Sequence, residues 1–411
     1  MKKIYNKVIA TVGLVAICTT AAEATPAFAR QMNADCMTCH YQNIPKLNSF
    51  GREFKLSGFT MTGGVKEIIS NANGGVAIPS TLNMGFVIKA RSHDTVNGSG
   101  TSGDDAKRTE IYDESAFVFG GKIGESTGVS LEFGAGLLGG KIITSEVTDA
   151  GRFGLAIHMT DALGVFAGLE TYSTGLYRPV RQFENRKGAN IFQKLGIGDG
   201  EAQGVQAYYS GHGLFVTVGQ YIPVFSPSTD TEQAGHKTFA RLAYELDVSG
   251  LNIALGGYYI GGDVKKNDAF NQSKTEGVDA DALDRESTGL DIQIQGDVAK
   301  MPLMLTGGYV LSNEYTGGLD GASPLVGTDR DRTGFSTAVQ VNPIDTLGLK
   351  VAYLSYTDNK VSDNDLSTIS IGTDYNAAQN LRLVLEYSMT DYAAANTTAQ
   401  DDLYLMLQTA F

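Results

Sequence analysis

The sequence has no tryptophan, only 9 prolines and 3 cysteines, and few charged residues, 19% of its 411 positions. Three cysteines cannot form a framework of several disulfides. No apolar run of about 18 or more residues follows the N-terminus, which excludes a protein with several membrane-spanning helices. The net charge of −13 leaves no basic face of the kind that nucleic-acid binding requires, so nucleic acid is not expected as a partner.

Glycine and aromatic residues are abundant instead, with 50 Gly, 19 Tyr and 18 Phe. Glycine-rich, aromatic-rich sequence favours strands and turns over helices. The composition therefore predicts an all-β protein.

Residues 1–29 have the pattern of a secretory signal peptide. Three lysines precede a short apolar run, Val8 to Ile17, and Ala27-Phe28-Ala29 matches the small-x-small cleavage pattern. Cleavage there removes Cys18 and starts the mature chain at Arg30. The alternatives are a lipid-modified Cys18, which Ile17 disfavours, and a retained anchor, for which the run is short. The segment predicts Sec-type export.

The two other cysteines form the motif Cys36-Met37-Thr38-Cys39-His40. C-x-x-C-H is the attachment pattern of c-type haem, in which both thiols add to the vinyl groups and the histidine binds the iron. A zinc site lacks a second cysteine pair, and a thioredoxin-like dithiol lacks its βαβ context. A structural disulfide leaves His40 unexplained. We predict one haem c on Cys36 and Cys39, with His40 as the proximal iron ligand.

The distal iron ligand is less well defined, and Met61 is the first choice. A methionine ligand gives a high-potential haem and a histidine ligand a lower potential. The alternative is that Met61 packs against the haem or the barrel wall. The other candidates are Met32, Met37, Met84, His93 and His158.

Apolar and polar residues alternate along most of the chain after about Thr81. Leu290, Ile292 and Ile294, for example, alternate with polar neighbours. A period of two indicates strands with one apolar face, and in an exported chain it fits lipid outside and water inside. The predicted strands are 82–90, 115–123, 129–137, 153–159, 163–171, 205–210, 214–221, 239–248, 251–260, 288–298, 303–311, 334–341, 347–356, 367–375, 381–389 and 403–411.

The connections between these strands alternate between long and short. Long ones include 91–114, 138–152 and 172–204, and short ones include 160–162 and 249–250. Outer-membrane barrels have long external loops and short periplasmic turns, and the terminal Phe411 resembles a barrel assembly signal. The sequence predicts an antiparallel transmembrane β-barrel of about 16 strands over residues 76–411, in contact with outer-membrane lipid. A soluble β-sandwich is the alternative.

Residues 30–75 are too few to build an ordinary cytochrome domain with its own core. A 16-strand barrel has a lumen wide enough to hold such a segment as a plug. Arg52 and Lys55 are candidates for pairing with haem propionates, or they form a solvated basic pair. The basic connection 172–204, which includes Arg181, is expected either to fold into the lumen or to be an ordinary exposed loop.

The haem motif and the following stretch Pro45 to Met61, PKLNSFGREFKLSGFTM, resemble the fused outer-membrane monohaem cytochrome c–porins, a family best known from iron-oxidising bacteria. The close match covers residues 28–61, and the barrel matches in architecture alone. The resemblance implies a monohaem segment docked in a porin of the bacterial outer membrane. It also implies electron transfer from an extracellular donor to a periplasmic cytochrome or other carrier.

Fe(II) is the first-choice donor, which would make the protein an Fe(II) oxidase. The long connections are acidic, as at Asp104 and Asp105, and a negative mouth attracts cations. The same conduit with another donor or with outward electron flow is one alternative. A diffusion porin with a haem plug is another. A soluble enzyme is disfavoured because the sequence has no nucleophile triad, phosphate loop or dinucleotide fingerprint.

Overall fold

A computed structural model of the chain describes residues 26–42, 44–69, 77–96, 107–111, 115–134, 137–159, 181–197, 203–222, 236–262, 286–316, 328–359, 365–393 and 399–411. The N-terminal part contains helix α1 (Pro26–Met32), a 3-10 turn (Cys36–Thr38), helix α2 (Ser49–Leu56) and a small hairpin of β1 (Glu67–Ile69) and β2 (Ala77–Pro79). Among the residues that the structure describes, no helix is long and apolar enough to cross a membrane.

The remaining strands form the wall of a barrel. They are β3 (Met84–Val96), β4 (Lys107–Ile111), β5 (Ala116–Lys122), β6 (Thr127–Gly134), β7 (Leu137–Thr148), β8 (Gly151–Met159), β9 (Gln203–Gly211), β10 (Leu214–Ile222), β11 (Lys237–Val248), β12 (Leu251–Gly261), β13 (Glu286–Val298), β14 (Met301–Thr316), β15 (Thr328–Ile344), β16 (Leu347–Asp358), β17 (Leu366–Ala378), β18 (Leu381–Tyr392) and β19 (Gln400–Ala410).

The wall closes on itself with antiparallel pairing throughout. Apart from β4 and β5, consecutive strands pair with each other, and β19 pairs with β3 from Asp401↔Val96 to Ala410↔Val87. Strands β4 and β5 pair with successive parts of β3, so they occupy a single position in the wall. The described strands thus form a closed barrel of 16 positions, which confirms the predicted fold class.

The wall has an apolar outside and a polar inside. Leu290 is 65% exposed on the outer face, whereas its neighbour Asp291 is 5% exposed and faces the lumen. Leu385 and Glu386 alternate in the same way on β18, at 38% and 0%. An apolar exterior on a closed barrel is stable in a bilayer, where every backbone polar group must be paired internally. The chain is a transmembrane β-barrel.

Seven short connections lie at one end of the barrel: 123–126, 149–150, 212–213, 249–250, 299–300, 345–346 and 379–380. Most other connections between consecutive strands are longer, as between β8 and β9 or between β12 and β13. Because outer-membrane barrels have short turns on the periplasmic side, the short-turn end is the periplasmic end.

The predicted long connection 138–152 is wrong, because most of it is strand β7. Three features obscure the alternation of apolar and polar residues in this strand. Gly139 and Gly140 have no side chain to mark a face, Ile143 faces an apolar group in the lumen, and Thr144 is exposed on the outside. The predicted strand 163–171 and the predicted turn 160–162 lie outside the described residues.

Candidate functional site in the barrel lumen

The haem motif forms one tight turn at the short-turn end. The Asp35 carboxylate accepts a hydrogen bond of 3.0 Å from the Thr38 amide and caps the 3-10 turn. The amides of Cys39 and His40 both donate to the carbonyl of Cys36, at 3.1 and 2.9 Å. This geometry holds both thiols and the imidazole within a single turn of chain, as a covalent haem requires.

The imidazole of His40 is oriented by the segment itself. Its Nδ1 lies 3.2 Å from the carbonyl oxygen of Lys46, and His40 pairs with Leu47 in an isolated bridge. An iron-bound histidine generally donates its second ring nitrogen to such an acceptor, which fixes the ring. With Nδ1 donating to this carbonyl, Nε2 would be the nitrogen that binds a haem iron, and the residues are compatible with a c-type haem.

The two thiols do not resemble a redox-active pair. Neither Cys36 nor Cys39 is in a disulfide. Burial, and then the Asp35 carboxylate, raises the pKa of the Cys39 thiol. A dithiol catalyst needs a lowered thiol pKa, so the thioredoxin-like alternative gains no support.

Helix α2 packs closely against this turn. A Cβ atom at Gly51 would collide with the carbonyl oxygen of Cys39, so the absence of a side chain permits the contact. Asn48 caps the helix by accepting from the Gly51 amide at 2.8 Å, and it donates to the carbonyl of Thr38 at 3.0 Å. Residue Asn48 therefore connects the helix to the haem motif.

The loop between the motif and α2 is anchored to strands β14 and β15. Gln42 donates to the carbonyls of Pro302 and Gln340, at 2.8 and 3.0 Å. Lys46, 2% exposed, donates through Nζ to Oε1 of Gln340. Burial lowers the pKa of Lys46 well below its usual range, although the Asp374 carboxylate opposes this. These contacts connect the residues beside His40 to the wall.

Arg52 connects helix α2 to the barrel wall. Its Nε and Nη2 donate to the Glu245 carboxylate at 2.8 and 2.7 Å, and its Nη1 donates to the Leu47 carbonyl at 2.7 Å. The guanidinium is buried, so the solvated basic pair is wrong for Arg52, and its pairing with a haem propionate stays a prediction. Arg52 is an anchor of helix α2.

Met61 packs against an aromatic cluster between the segment and the wall. Phe28 stacks on Phe59 with ring centroids 4.7 Å apart, and Phe54 contacts both rings edge-on. The wall side consists of Ile143, Ala156, Tyr208 and Phe215, with Met32 and Met61 packed at the margin. This is the packing contact foreseen as the alternative for Met61. The distal-ligand assignment of Met61 stays a prediction.

Two further sequence expectations can be placed. His158 is 2% exposed and faces the lumen on β8, as its position in the alternation predicts. Helix α1 spans the predicted cleavage site after Ala29, and Ala27 is buried against the barrel. Cleavage there would remove Phe28 from the aromatic cluster. Signal cleavage also stays a prediction.

Residues 181–197 lie inside the lumen, so this part of the predicted connection 172–204 is not an exposed loop. The Glu184 carboxylate lies 2.7 Å from Lys89 Nζ and 3.3 Å from Arg91 Nη1. The Glu386 carboxylate accepts from the amides of Glu184 and Asn185 at 2.9 and 2.8 Å. Although burial opposes it, the cations at Lys89, Arg181 and Arg91 lower the pKa of Glu184 to about 2.

The second half of this inner segment is held by apolar contacts. It contains the short helices α3 (Arg186–Ala189) and α4 (Ile191–Lys194). Ile191, Phe192, Leu195 and Ile197 are buried against wall residues that include Tyr221, Phe239, Tyr258, Val310, Leu354 and Tyr356. An apolar core inside a barrel lumen excludes water from that part of the lumen.

Sequence reasoning missed Gln340, Glu245 and Glu386. These wall residues hold the two segments inside the lumen, the N-terminal segment and residues 181–197, which are called the two inserts below. Their pattern is that of any polar lumen-facing residue, and their partners are about 190 to 300 positions away in the chain. Within the described residues, no group of three or more His, Cys, Asp or Glu side chains is arranged to hold a metal ion.

The barrel and its two inserts define a transmembrane β-barrel of the bacterial outer membrane with a partly filled lumen. No family model and no curated protein matches the chain. Solved structures with a similar fold include OmpT of Vibrio cholerae, 14% identical, covering 81% of this chain and 100% of that chain at a TM-score of 0.47. An anion-selective porin from Comamonas acidovorans is 11% identical, with coverage of 80% and 99% and a TM-score of 0.48.

A third similar structure is the outer membrane channel DcaP of Acinetobacter baumannii. It is 11% identical, with coverage of 83% and 99% and a TM-score of 0.49. At such TM-scores these likenesses add no evidence about function, and the strand pairing of the chain itself establishes the barrel.

Proposed function

We propose that this protein is an electron conduit of the outer membrane, with one c-type haem on its N-terminal segment. The observation that supports this most is the turn at Cys36, Cys39 and His40, docked at the periplasmic end of the lumen. The resemblance of residues 28–61 to the cytochrome c–porins supports the same function. Fe(II) is the proposed extracellular donor and a soluble periplasmic protein the proposed acceptor.

Haem c, when bound, supplies one-electron exchange at its iron. The protein's own residues supply position and environment. Lys46 orients the His40 ring through its backbone carbonyl, and its side chain binds the wall at Gln340. Arg52 fixes the helix that packs on the haem motif. The aromatic cluster of Phe28, Phe54 and Phe59 packs the segment that carries the motif against the barrel wall.

A diffusion porin with a plug is the second candidate, and the barrel alone supports it more directly than it supports electron transfer. A 16-strand barrel with a polar inner face has the architecture of an aqueous channel. The apolar core around Ile191 and Phe192 argues against free passage of solutes through that region. The two candidates therefore differ in a measurable property, the conductance of the pore.

The test combines haem content with conductance. The full-length protein is expressed in a strain that matures c-type cytochromes, and covalent haem is measured after denaturing electrophoresis and by its reduced visible spectrum. We expect one haem per chain, none in Cys36→Ala/Cys39→Ala, and an altered spectrum with attached haem in His40→Ala. The matched control is Met37→Leu, which keeps both thiols and the histidine.

The same preparations are reconstituted in planar bilayers. Covalent haem with low single-channel conductance supports the conduit. Large ohmic conductance with no covalent haem would establish the porin and overturn the electron-transfer proposal.

A further inference from the structure

The short-turn end of the barrel is strongly acidic. Exposed carboxylates lie in or beside five of its seven turns and in the haem motif turn. They are Asp35, Glu125, Glu146, Asp149, Asp247, Asp297 and Asp345. Among the described residues of this end, the exposed lysines and arginines are Lys66 and Lys300. The periplasmic face consequently has a clear excess of negative charge.

Two large apolar side chains are exposed within this acidic face. Met37, between the two cysteines, is 42% exposed, and Phe50, in the first turn of α2, is 39% exposed. Asn48 links the helix that carries Phe50 to the turn that carries Met37, since it caps α2 and donates to the carbonyl of Thr38. Two exposed apolar side chains therefore lie beside the proposed haem attachment site, one within the motif and one on the helix that packs against it.

Two of the exposed carboxylates, Asp297 and Asp345, lie near wall residues that bind the loop between the haem motif and α2. Gln42 donates to the carbonyl of Pro302, and Pro302 pairs with Asp297 in the ladder between β13 and β14. Asp345 follows β15, whose Gln340 accepts from Lys46. Both acidic residues thus lie at the end of the wall that holds the haem segment.

We propose that this face is the docking site of a soluble redox protein with a positively charged surface, which contacts Met37 and Phe50 at the centre and the carboxylates at the rim. This inference rests on the proposed function. Redox encounters use small interfaces, and complementary charge accelerates and orients them. A positive partner is thereby guided to the end of the barrel where the haem segment is exposed.

The negative charge of this face favours a cationic protein over two other possible partners, a second copy of the barrel and anionic lipid. A second copy of the barrel would bring the same acidic face against itself across a two-fold axis, which is repulsive. Anionic lipid head groups would be repelled for the same reason. A cationic protein is the class of partner for which the whole face is attractive.

The test uses a basic mitochondrial cytochrome c as the probe, and the same protein succinylated to an acidic form as the control. Binding to the detergent-solubilised full-length protein is measured at low and at physiological salt. We expect binding of the basic probe that weakens with salt, and none of the succinylated probe. The variant Asp297→Asn/Asp345→Asn should bind several-fold more weakly, and Phe50→Ala should also weaken binding.

The matched control is Glu286→Gln/Asp391→Asn, which removes two exposed carboxylates from the opposite end of the barrel. It should bind as the unmodified protein does. Equal loss in both double variants, or equal binding of both probes, would overturn the docking site. Heat-modifiable electrophoretic mobility verifies that each variant is folded.

The docking proposal and the conduit proposal fail in different ways. If the chain carries no covalent haem but binds the basic probe at the acidic face, the conduit fails and the docking surface stands. If the haem is present and reducible but the two rim carboxylates do not affect binding, the docking site is wrong and the conduit stands.

Discussion

Arg52 shows how a single side chain fixes the N-terminal segment in the lumen. It makes a two-point contact with Glu245 and a third contact with the chain at Leu47. Paired contacts of this kind are strong because two N–H groups of the planar guanidinium donate in parallel to one carboxylate. The side chain of Glu245 is 27% exposed, so solvent moderates the energy.

Replacing Arg52 with Gln should loosen the segment. The change leaves a partly buried carboxylate without its cation, at a cost of about 1–3 kcal/mol. We expect faster cleavage of the segment by a protease added to the solubilised protein. The control is Arg108→Gln, whose side chain is 73% exposed at the other end of the barrel. Unchanged cleavage in Arg52→Gln would show that the segment is held elsewhere.

Met61 is the residue on which the haem potential depends, if it is the distal ligand. We predict that Met61→Leu abolishes the near-infrared band of a methionine-bound ferric haem and lowers the midpoint potential. Met32→Leu is the matched control, because Met32 packs in the same aromatic cluster. Identical spectra for Met61→Leu and the unmodified protein would show that Met61 only packs.

The inner segment, residues 181–197, is held by an ion-pair group at one end and an apolar core at the other. Glu184 binds Lys89 and Arg91, and Glu386 caps the backbone at Glu184 and Asn185. Because the pKa of Glu184 falls from 4.5 to about 2 on folding, its contribution to stability is complete above about pH 4.5. It is lost as the pH falls towards 2.

Acid should therefore weaken the ion pairs of Glu184 only below about pH 4.5. We expect single-channel conductance in planar bilayers to stay constant from pH 7 to pH 5 and to rise between pH 4 and pH 2. In Glu184→Gln the higher conductance should already be present at pH 7. The control Glu286→Gln, at an exposed carboxylate of the long-connection end, should behave as the unmodified protein. A pH-independent conductance in all three proteins would contradict this role of Glu184.

Most strands could be predicted because their two faces meet different solvents. Leu290 and Asp291 on β13 alternate as lipid and lumen require. Strand β7 was missed because Ile143 faces the aromatic cluster of the N-terminal segment, so an apolar residue points inward. Where an insert contacts the wall, apolar residues face the lumen instead of the lipid. Sequence periodicity does not reveal such a contact, because the partner is distant in the chain.

The candidate site also has one part that the sequence predicts and one part that it does not. Cys36, Cys39 and His40 can be proposed as a haem site from the sequence because the spacing that haem attachment requires is local. The contact of Arg52 with the wall could not be predicted, because its partner, Glu245, lies 193 positions away and resembles every other lumen carboxylate. Local motifs are visible in sequence, and long-range pairing is not.

The whole molecule depends on closure of the barrel, and the last residue takes part in it. The amide of Phe411 donates to the carbonyl of Phe86 at 3.0 Å, and the amide of Phe86 donates back at 2.8 Å. Their rings meet edge-on with centroids 5.9 Å apart. The terminal residue thus extends the seam between β19 and β3 by one pair.

Deletion of Phe411 should reduce the yield of folded barrel in the outer membrane several-fold, because the seam loses two hydrogen bonds and its aromatic end. The measurement is the fraction of heat-modifiable protein in isolated outer membranes. Phe411→Tyr should restore most of the yield. Equal yields for the deletion and the unmodified chain would show that the terminal aromatic is dispensable.

The central claim is that the barrel carries a haem that an extracellular donor reduces. It is tested most directly by visible spectra of intact cells before and after Fe(II) is added outside. We predict rapid appearance of a reduced c-type haem, absent in Cys36→Ala/Cys39→Ala. Covalent haem that dithionite reduces but Fe(II) does not would contradict iron as the donor. Absence of any covalent haem in a strain that matures c-type cytochromes would contradict the conduit itself.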